Sequence, residues 1–516
     1  MNYPVWELSM GGGVLMAAVS VLHVFVSHFA VGGGLWLVLT ERLAIRRQDP
    51  ELRAFVKSQS RVFILVTLVF GAITGVGIWS TAALISPHGI IALIRAYLWG
   101  WAMEWVFFVV EICAALVYWY GWERLSARTH QAVGWIYFVS AFMSLVIING
   151  IITFMLTPGE WLETRAFWDG FFNPTYWPSL VLRTFASAAM AGLFTLLTAA
   201  YLRRGPARIS AVRWSAVWVI AGLAATGAVF QWYGAALADA LPGWADQAAG
   251  ALPVLPTVLS LLRIGLLLGV LVALWPLSAP RTWNPLGGWL LFAAGLAVFA
   301  GGEWIREAAR KPYIIHGYLY STGLRVDQEP EVAARGAGAF TRWRDPAAAT
   351  PAARGADLYR AWCQPCHTLD GYNGLRPYLV HWSDAQITEF LPRLQHMRGL
   401  MPAWHGSAQD TAELTTRLAE ARDGREAVFP ADAGEAAALA FDLHCGLCHT
   451  VDDYRPLRDS LAGLDRDELD ADVLDLLEDY TDEMPPYLAD GTERTHLLDF
   501  LETVASEDDD DERSES

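Results

Sequence analysis

Two Cys-x-x-Cys-His motifs stand in the last third of the chain, at residues 363–367 and 445–449. This spacing is typical of c-type haem attachment, in which two thiols bond to the porphyrin vinyl groups and the histidine ligates the iron. The predicted attachment residues are Cys363, Cys366 and His367 for the first haem, and Cys445, Cys448 and His449 for the second. The chain is therefore expected to carry electrons, and this end is expected on the outer side of an energy-conserving membrane, where haem c is attached.

A low-spin haem c commonly has a second axial ligand, and a methionine in that place raises the reduction potential. Met401 and Met484 are predicted to fill this role, because each precedes a proline at nearly the same distance after its motif histidine. Met397, His396 and His405 are alternatives for the first haem. A structural role as two core methionines is the other interpretation.

Residues 353–506 contain a tandem repeat that positions these motifs. A helical segment leads into each motif, and residues 384–391 match residues 470–477. The repeat predicts two small helical modules, at 353–425 and 426–506, which resemble class I cytochromes c. Residues 507–516 form an acidic run that is expected to be disordered.

The sequence before the modules is mostly apolar and predicts about eight membrane spans, each needing about 20 residues. The predicted spans are 14–40, 61–86, 96–120, 131–157, 178–202, 212–238, 255–277 and 285–305. Arginine-rich loops follow the first, third and fifth spans, which places these loops in the cytoplasm. The N-terminus and the haem motifs are then both outside. The predicted fold is all-α, a membrane helix bundle at 1–310, a linker at 311–352 and the two haem modules.

Composition excludes some functions and leaves others open. The chain has 516 residues, 54% of them hydrophobic, which is too apolar for a soluble globule. Only two lysines, Lys57 and Lys311, are present and the formal net charge is −17, so nucleic acid is not an expected partner. The acidity of the haem region indicates either docking of a basic partner or a solvated surface suited to a saline habitat.

Ionisable and amide side chains inside the predicted spans are costly, and they are therefore candidates for function. His23 lies in the first span, and Glu104 and Glu111 share one face of the third. The other polar positions are Asn149, Arg183, Gln231, Arg263, Glu303, Arg306 and Glu307. A single buried histidine is more often a hydrogen-bonded core residue than a ligand, but several carboxylates favour a proton path or haem ligation.

The order of several short motifs resembles the large subunit of cytochrome bd oxidases over about residues 1–315. The matching stretches are Trp6–Ser9, Leu22–Phe25, Glu111 followed by Gly121–Leu125, Asn149–Gly150, Arg263–Ile264 and Glu307–Pro312. The resemblance implies that His23 ligates a high-spin haem. Glu104, Glu303 and Glu307 are further candidate haem ligands, and Glu104, Glu111 and Asn149 are candidates for a proton path.

The chain departs from that family where the low-spin haem b is bound. Arg183 stands in place of a ligand histidine, and Gly265 in place of its partner methionine. The loop at 239–254 is too short for the family's quinol-binding loop. The resemblance therefore implies that this haem and the quinol site are absent, and that two haems c form the electron entrance.

The resulting hypothesis is an oxidoreductase, the main subunit of a bd-like terminal oxidase in a bacterial inner membrane, with its haems c on the periplasmic side. It implies one or two membrane haems of b or d type, a second membrane subunit, and a soluble cytochrome c or other periplasmic carrier as partner. The alternative is a non-oxidase subunit that links a membrane quinone or a partner complex to periplasmic cytochrome c. The terminal acceptor, the donor and the direction of electron flow stay open.

Overall fold

The computed structural model describes residues 5–245, 248, 255–342, 344–345, 347–398, 401–452, 454–477, 483–489 and 491–514. The regular secondary structure of these residues is almost entirely helical, which confirms the all-α prediction. Two compact units are present, one made of residues 15–310 and 314–317, the other of residues 1–14, 311–313 and 318–516.

Eight helices among the described residues are long and apolar enough to cross a membrane, which confirms the predicted number. They are Gly12–Arg47, Pro50–Ile85, Leu98–Tyr120, Ala127–Leu156, Tyr176–Ala199, Pro206–Ala240, Leu255–Ser278 and Pro285–Arg310. Several extend beyond the apolar stretches because polar caps fix their ends. The Asp49 carboxylate accepts a hydrogen bond from the Leu52 amide at 2.9 Å, and the Ser126 hydroxyl accepts one from the Thr129 amide at 3.2 Å.

Shorter elements join the spans. The second span contains a π-helical segment at Leu65–Phe70. Short helices follow at Pro87–Ala96, Trp161–Thr164 and Phe167–Phe171.

Small residues let the spans approach closely, as is usual between helices in a membrane. A Cβ added at Gly32 of the first span would lie 1.8 Å from the Ser187 carbonyl oxygen of the fifth. A Cβ at Gly222 of the sixth span would lie 2.5 Å from the Ala189 amide nitrogen. Both contacts involve backbone atoms, which cannot rotate away.

Gly32→Ala should therefore destabilise the membrane unit by about 1–3 kcal/mol, the usual cost of overpacking a well-packed interior. The measurement is the thermal unfolding midpoint of the purified protein. Gly13→Ala on the same helix is the matched control, because a Cβ there meets nothing within 4 Å. Equal midpoints for the two variants would show that the first and fifth spans do not approach this closely.

The second unit consists of short helices and turns. Its α-helices are Glu329–Arg335, Ala337–Phe340, Pro351–Trp362, Arg376–Leu379, Asp384–Phe390, Ala408–Glu420, Ala433–Leu443, Arg458–Leu461, Arg466–Glu468 and Gly491–Ser514. Tighter 3₁₀ turns occur at Val326–Gln328, Leu391–His396 and Cys445–Leu447, and a π-helical turn at Leu469–Leu474. Strands Tyr313–Ile315 and Leu319–Tyr320 lie in the region predicted as a linker, which thus contains regular structure.

Each of the two predicted haem modules contains one pair of packed helices. In the first, Pro351–Trp362 packs on Ala408–Glu420, and a Cβ at Gly355 would lie 2.0 Å from the Glu413 carbonyl oxygen. In the second, Ala433–Leu443 packs on Gly491–Ser514, where the Phe441 and Phe500 rings stack at 4.4 Å.

The last helix, Gly491–Ser514, extends into the acidic run at the end of the chain. The disorder expected for residues 507–516 stays a prediction. Residues 515–516 lie outside the described residues.

Candidate haem sites

The two Cys-x-x-Cys-His motifs form the same backbone turn. The amides of Cys366 and His367 donate to the Cys363 carbonyl at 3.0 and 2.9 Å. The amides of Cys448 and His449 donate to the Cys445 carbonyl at 3.0 and 2.8 Å. All four motif thiols are half-buried and none is in a disulfide. Paired free thiols on one turn fit covalent attachment of a porphyrin.

The motif histidines are oriented alike. His367 Nδ1 lies 3.1 Å from the Asn373 carbonyl oxygen, and His449 Nδ1 lies 2.8 Å from the Arg455 carbonyl oxygen. Asn373 and Arg455 both have a left-handed backbone, with φ of 52° and 45°. A backbone carbonyl on Nδ1 directs Nε2 towards a metal. The histidines therefore fit iron ligation.

The structural repeat extends beyond the motifs. The Thr368 hydroxyl donates to the Tyr372 carbonyl at 2.9 Å, and the Thr450 hydroxyl donates to the Tyr454 carbonyl at 3.2 Å. This correspondence was available in the sequence, since His-Thr-x-Asp-x-Tyr-x-x-Leu-Arg begins at both 367 and 449, and it was missed there.

An ion pair closes each of these turns. Arg376 Nε lies 2.6 Å from Asp370 Oδ1, and Arg458 Nε lies 2.5 Å from Asp452 Oδ1. The hydrogen bonds from these arginines hold the pKa values of Asp370 and Asp452 below their usual range. Both turns therefore remain closed at neutral pH.

The predicted methionine ligands lie near chain segments outside the described residues. Met401 and Met484 are both half-buried, and Met397 is fully buried. His396 has partners on both ring nitrogens, Glu483 Oε2 at 3.2 Å and Gln395 Nε2 at 2.9 Å. Because both ring nitrogens are engaged, His396 is a weaker candidate for the axial ligand of the first haem.

His405, the other histidine alternative, has Nε2 3.8 Å from Glu329 Oε1. The axial roles of Met401 and Met484 stay predictions.

The first module contacts the second motif, which sequence reasoning did not anticipate. Arg398 Nε donates to the carbonyl of Gly446, between the two cysteines, at 2.6 Å. The Trp382 indole donates to the Leu443 carbonyl at 3.1 Å. The two modules are thus joined through the backbone next to Cys445.

His23 is the polar group of the first span that the sequence assigns to a haem. Its Nδ1 lies 3.0 Å from the Thr74 hydroxyl, just after the π-helical segment of the second span. A Cβ at Gly75 would lie 3.1 Å from the His23 ring. π-Helical turns are frequent at functional sites, and an Nδ1 partner leaves Nε2 for a metal.

His28 is a second candidate that the sequence reasoning did not select. The residue is 3% exposed, and its Nδ1 lies 2.8 Å from the Val24 carbonyl oxygen of the same helix. Its Nε2 is buried and has no hydrogen-bond partner among the described residues. Its place one and a half turns after His23 was the available signal.

Glu303 and Glu307 are engaged with arginines. Glu303 Oε1 lies 2.9 Å from Arg183 Nη2, and Glu303 Oε2 lies 2.9 Å from Arg306 Nε. Glu307 lies 3.9 Å from Arg306 and also pairs with Arg310. Arg183 Nε and Arg306 Nη1 are buried with no hydrogen-bond partner in the described part of the chain. These unpaired donors fit an anionic group such as a porphyrin carboxylate.

The proton-path candidates lie in two different environments. Glu111 Oε1 accepts the Tyr137 hydroxyl at 2.9 Å, and both side chains are buried. Asn149 donates to the Tyr176 carbonyl at 2.9 Å and accepts the Ser179 hydroxyl at 2.7 Å. Asn149 therefore ties the fourth span to the fifth.

A buried cluster around Glu41 was missed by the sequence reasoning. Glu41 Oε1 lies 2.7 Å from His130 Nδ1, and Glu41 Oε2 accepts the Tyr118 hydroxyl at 2.9 Å. A cavity of about 10 Å³ lies between Tyr118 and Tyr137, close to the volume that one water molecule needs.

Two family models match separate parts of the chain. Residues 14–242 match the family model described as "Cytochrome bd terminal oxidase subunit I". Residues 350–416 match the model described as "Cytochrome C oxidase, cbb3-type, subunit III". No curated protein sequence matches the chain.

A solved structure of bd oxidase from Geobacillus thermodenitrificans is similar in fold, with a TM-score of 0.53 at 18% identity. The similarity covers 59% of this chain and 88% of that chain. The chain is thus a multi-pass membrane protein with a bd-like helical domain and a cytochrome c domain, and it takes part in respiratory electron transfer with haem cofactors.

Proposed function

We propose that this chain is the main subunit of a bd-like terminal oxidase of a bacterial inner membrane, and that two periplasmic haems c replace quinol as its electron entrance. The observation that carries the proposal is the repeated geometry of the Cys363–His367 and Cys445–His449 turns, down to the carbonyl on each Nδ1. Both turns belong to a chain whose membrane part is similar to an oxidase subunit.

His23 is the residue that would hold a membrane haem. A high-spin haem supplies an open coordination position at which oxygen is reduced. Glu104 and Glu111 would move protons towards it, with the Tyr137 hydroxyl orienting Glu111. The ion pair between Arg183 and Glu303 supports the absence of the family's low-spin haem, since the expected ligand position holds a paired arginine.

The partners follow from this role. A second membrane subunit is expected, because a bd-like oxidase is heteromeric. A soluble cytochrome c or another periplasmic carrier is expected to deliver electrons, and a basic protein would suit the acidic haem region.

A second function is favoured by a different observation. Both Glu303 oxygens are held by arginines, so one of the predicted carboxylate ligands is already engaged. Under this alternative the chain is a non-oxidase subunit that passes electrons between a membrane quinone, or a partner complex, and periplasmic cytochrome c.

A pyridine haemochrome spectrum and oxygen uptake separate the two functions. For the oxidase we expect two haems c, at least one non-covalent haem that binds CO, and faster uptake with reduced soluble cytochrome c than with quinol. A preparation with haems c alone, or one without CO binding, would contradict it.

Replacing Cys445 and Cys448 together by serine should lower the haem c content from two to one, because the second porphyrin loses both thioether bonds. The measurement is the haem c absorbance per protein. Cys113→Ser is the control, since that exposed cysteine is outside both motifs and should leave the count at two. A count of one in both the wild type and the double variant would show that only the first module is loaded.

A further inference from the structure

The segment that precedes the first span packs on the first haem motif. Glu7 Oε1 lies 2.6 Å from Arg360 Nε, on the helix that leads into Cys363. The Gln364 side-chain amide, between the two motif cysteines, donates to the Trp6 carbonyl at 3.4 Å. Since an exposed ion pair contributes little to stability, the packing that accompanies it matters more.

That packing depends on a glycine. A Cβ at Gly371 would lie 2.2 Å from the Ser9 carbonyl oxygen, and its next two neighbours are backbone atoms of Met10. A Cβ at Gly11 would lie 3.1 Å from the Thr368 side chain. In the second module the residue that corresponds to Gly371 in the sequence is Asp453, which is not a glycine.

The segment that contacts the first haem motif leads directly into the first span. Gly11 directly precedes Gly12, the first residue of the first span, and the same helix carries His23. At about 1.5 Å per residue, His23 is roughly 17 Å along the helix from Gly12. A module held by residues 5–11 is therefore tethered to the span that carries the predicted haem ligand.

We propose that residues 5–11 are a docking strap that binds the first haem c module, and that this module passes electrons into the membrane domain. This inference rests on the proposed function. One electron leaves the first haem c, whose iron goes from ferrous to ferric, and reduces a haem iron of the membrane domain from ferric to ferrous.

The second module then receives electrons from the soluble carrier. Its motif is joined to the first module through Arg398 and Trp382, which bond to the backbone at Gly446 and Leu443. The modules act in series, from the second to the first and then to the first span.

Gly371→Ala tests the strap, because the added methyl group would displace Ser9 and Met10. The three atoms nearest to that methyl group all belong to these two residues, and none belongs to the module. The measurement is amide hydrogen exchange in the assembled, haem-loaded protein. We expect protected amides at residues 5–11 in the wild type, and exchange at least tenfold faster in the variant. Gly491→Ala is the matched control, since a Cβ there meets nothing within 4 Å.

Electron transfer is followed by rapid mixing of the same proteins with reduced soluble cytochrome c. Gly371→Ala should leave reduction of the haems c at the wild-type rate and slow reduction of the membrane haem at least tenfold. Glu7→Arg, which places two cations together at Arg360, should act in the same direction. It keeps the test valid if Gly371→Ala fails to fold.

Unprotected amides at 5–11 in the wild type would overturn the strap, and an unchanged rate in both variants would overturn its role in electron transfer. A wild-type protein without a reducible membrane haem would overturn the proposed function and the electron-transfer role together. The exchange measurement would still decide whether the strap exists.

Discussion

His23→Ala should eliminate the CO-binding haem of the membrane domain and lower oxygen uptake at least 100-fold, while both haems c remain. His23 is the predicted ligand, and its Nδ1 contact with Thr74 at 3.0 Å leaves Nε2 for iron. Thr74→Val should have an intermediate effect of about 10–100-fold on haem affinity, which is typical when a ligand loses its orienting partner. The measurements are the CO difference spectrum and the haemochrome count.

His28→Gln is the matched control on the same helix. His28 bonds to its own backbone at Val24 and stacks edge-on against Phe299 at 4.9 Å. We expect its substitution to retain the CO-binding haem. Loss of that haem in His28→Gln but not in His23→Ala would show that His28 is the ligand. His28 is the specific alternative because its Nε2 has no hydrogen-bond partner among the residues that the structure describes.

Glu303→Gln should destabilise the membrane unit by about 3–5 kcal/mol, the usual cost of leaving a buried charge unpaired. Glu303 holds Arg183 and Arg306 with its two oxygens, and the Arg183 side chain is only 8% exposed. Without the carboxylate, Arg183 loses its counter-charge inside the membrane, where charges are costly, and Arg306 keeps only the 3.9 Å contact with Glu307. The measurement is the thermal midpoint of the purified protein.

The control removes both charges of the central pair. Arg183→Met with Glu303→Met should be markedly more stable than Glu303→Gln, because apolar replacement of a buried ion pair is often neutral. If Glu303 were a haem ligand, both variants would instead lose a haem band whatever their stability. Equal midpoints for Glu303→Gln and the wild type would show that the ion pairs contribute nothing.

Local patterns in the sequence were sufficient to predict the architecture. Eight spans followed from apolar length alone, since each helix satisfies its backbone hydrogen bonds within one segment. The two haem c sites were predicted from five consecutive residues at Cys363 and at Cys445, and they stay predictions. Helix ends were less predictable, because caps such as Asp49 lie outside the apolar stretches.

The tertiary structure decided which polar groups meet. The sequence identified Arg183 and Glu303 separately, as a missing ligand and a candidate ligand, and only folding showed that they form one ion pair. Glu41 and His130 were not selected, yet they form a buried pair. Glu7 meets Arg360 from the opposite part of the chain.

One physical cause explains why the architecture could be predicted from the sequence and the pairing of polar groups could not. Haem attachment and membrane spanning depend on residue types at short, regular spacing, which the covalent chain itself imposes. The pairing of buried charges and the docking of residues 5–11 depend on which helix faces approach each other, and that is determined by packing between residues far apart in sequence.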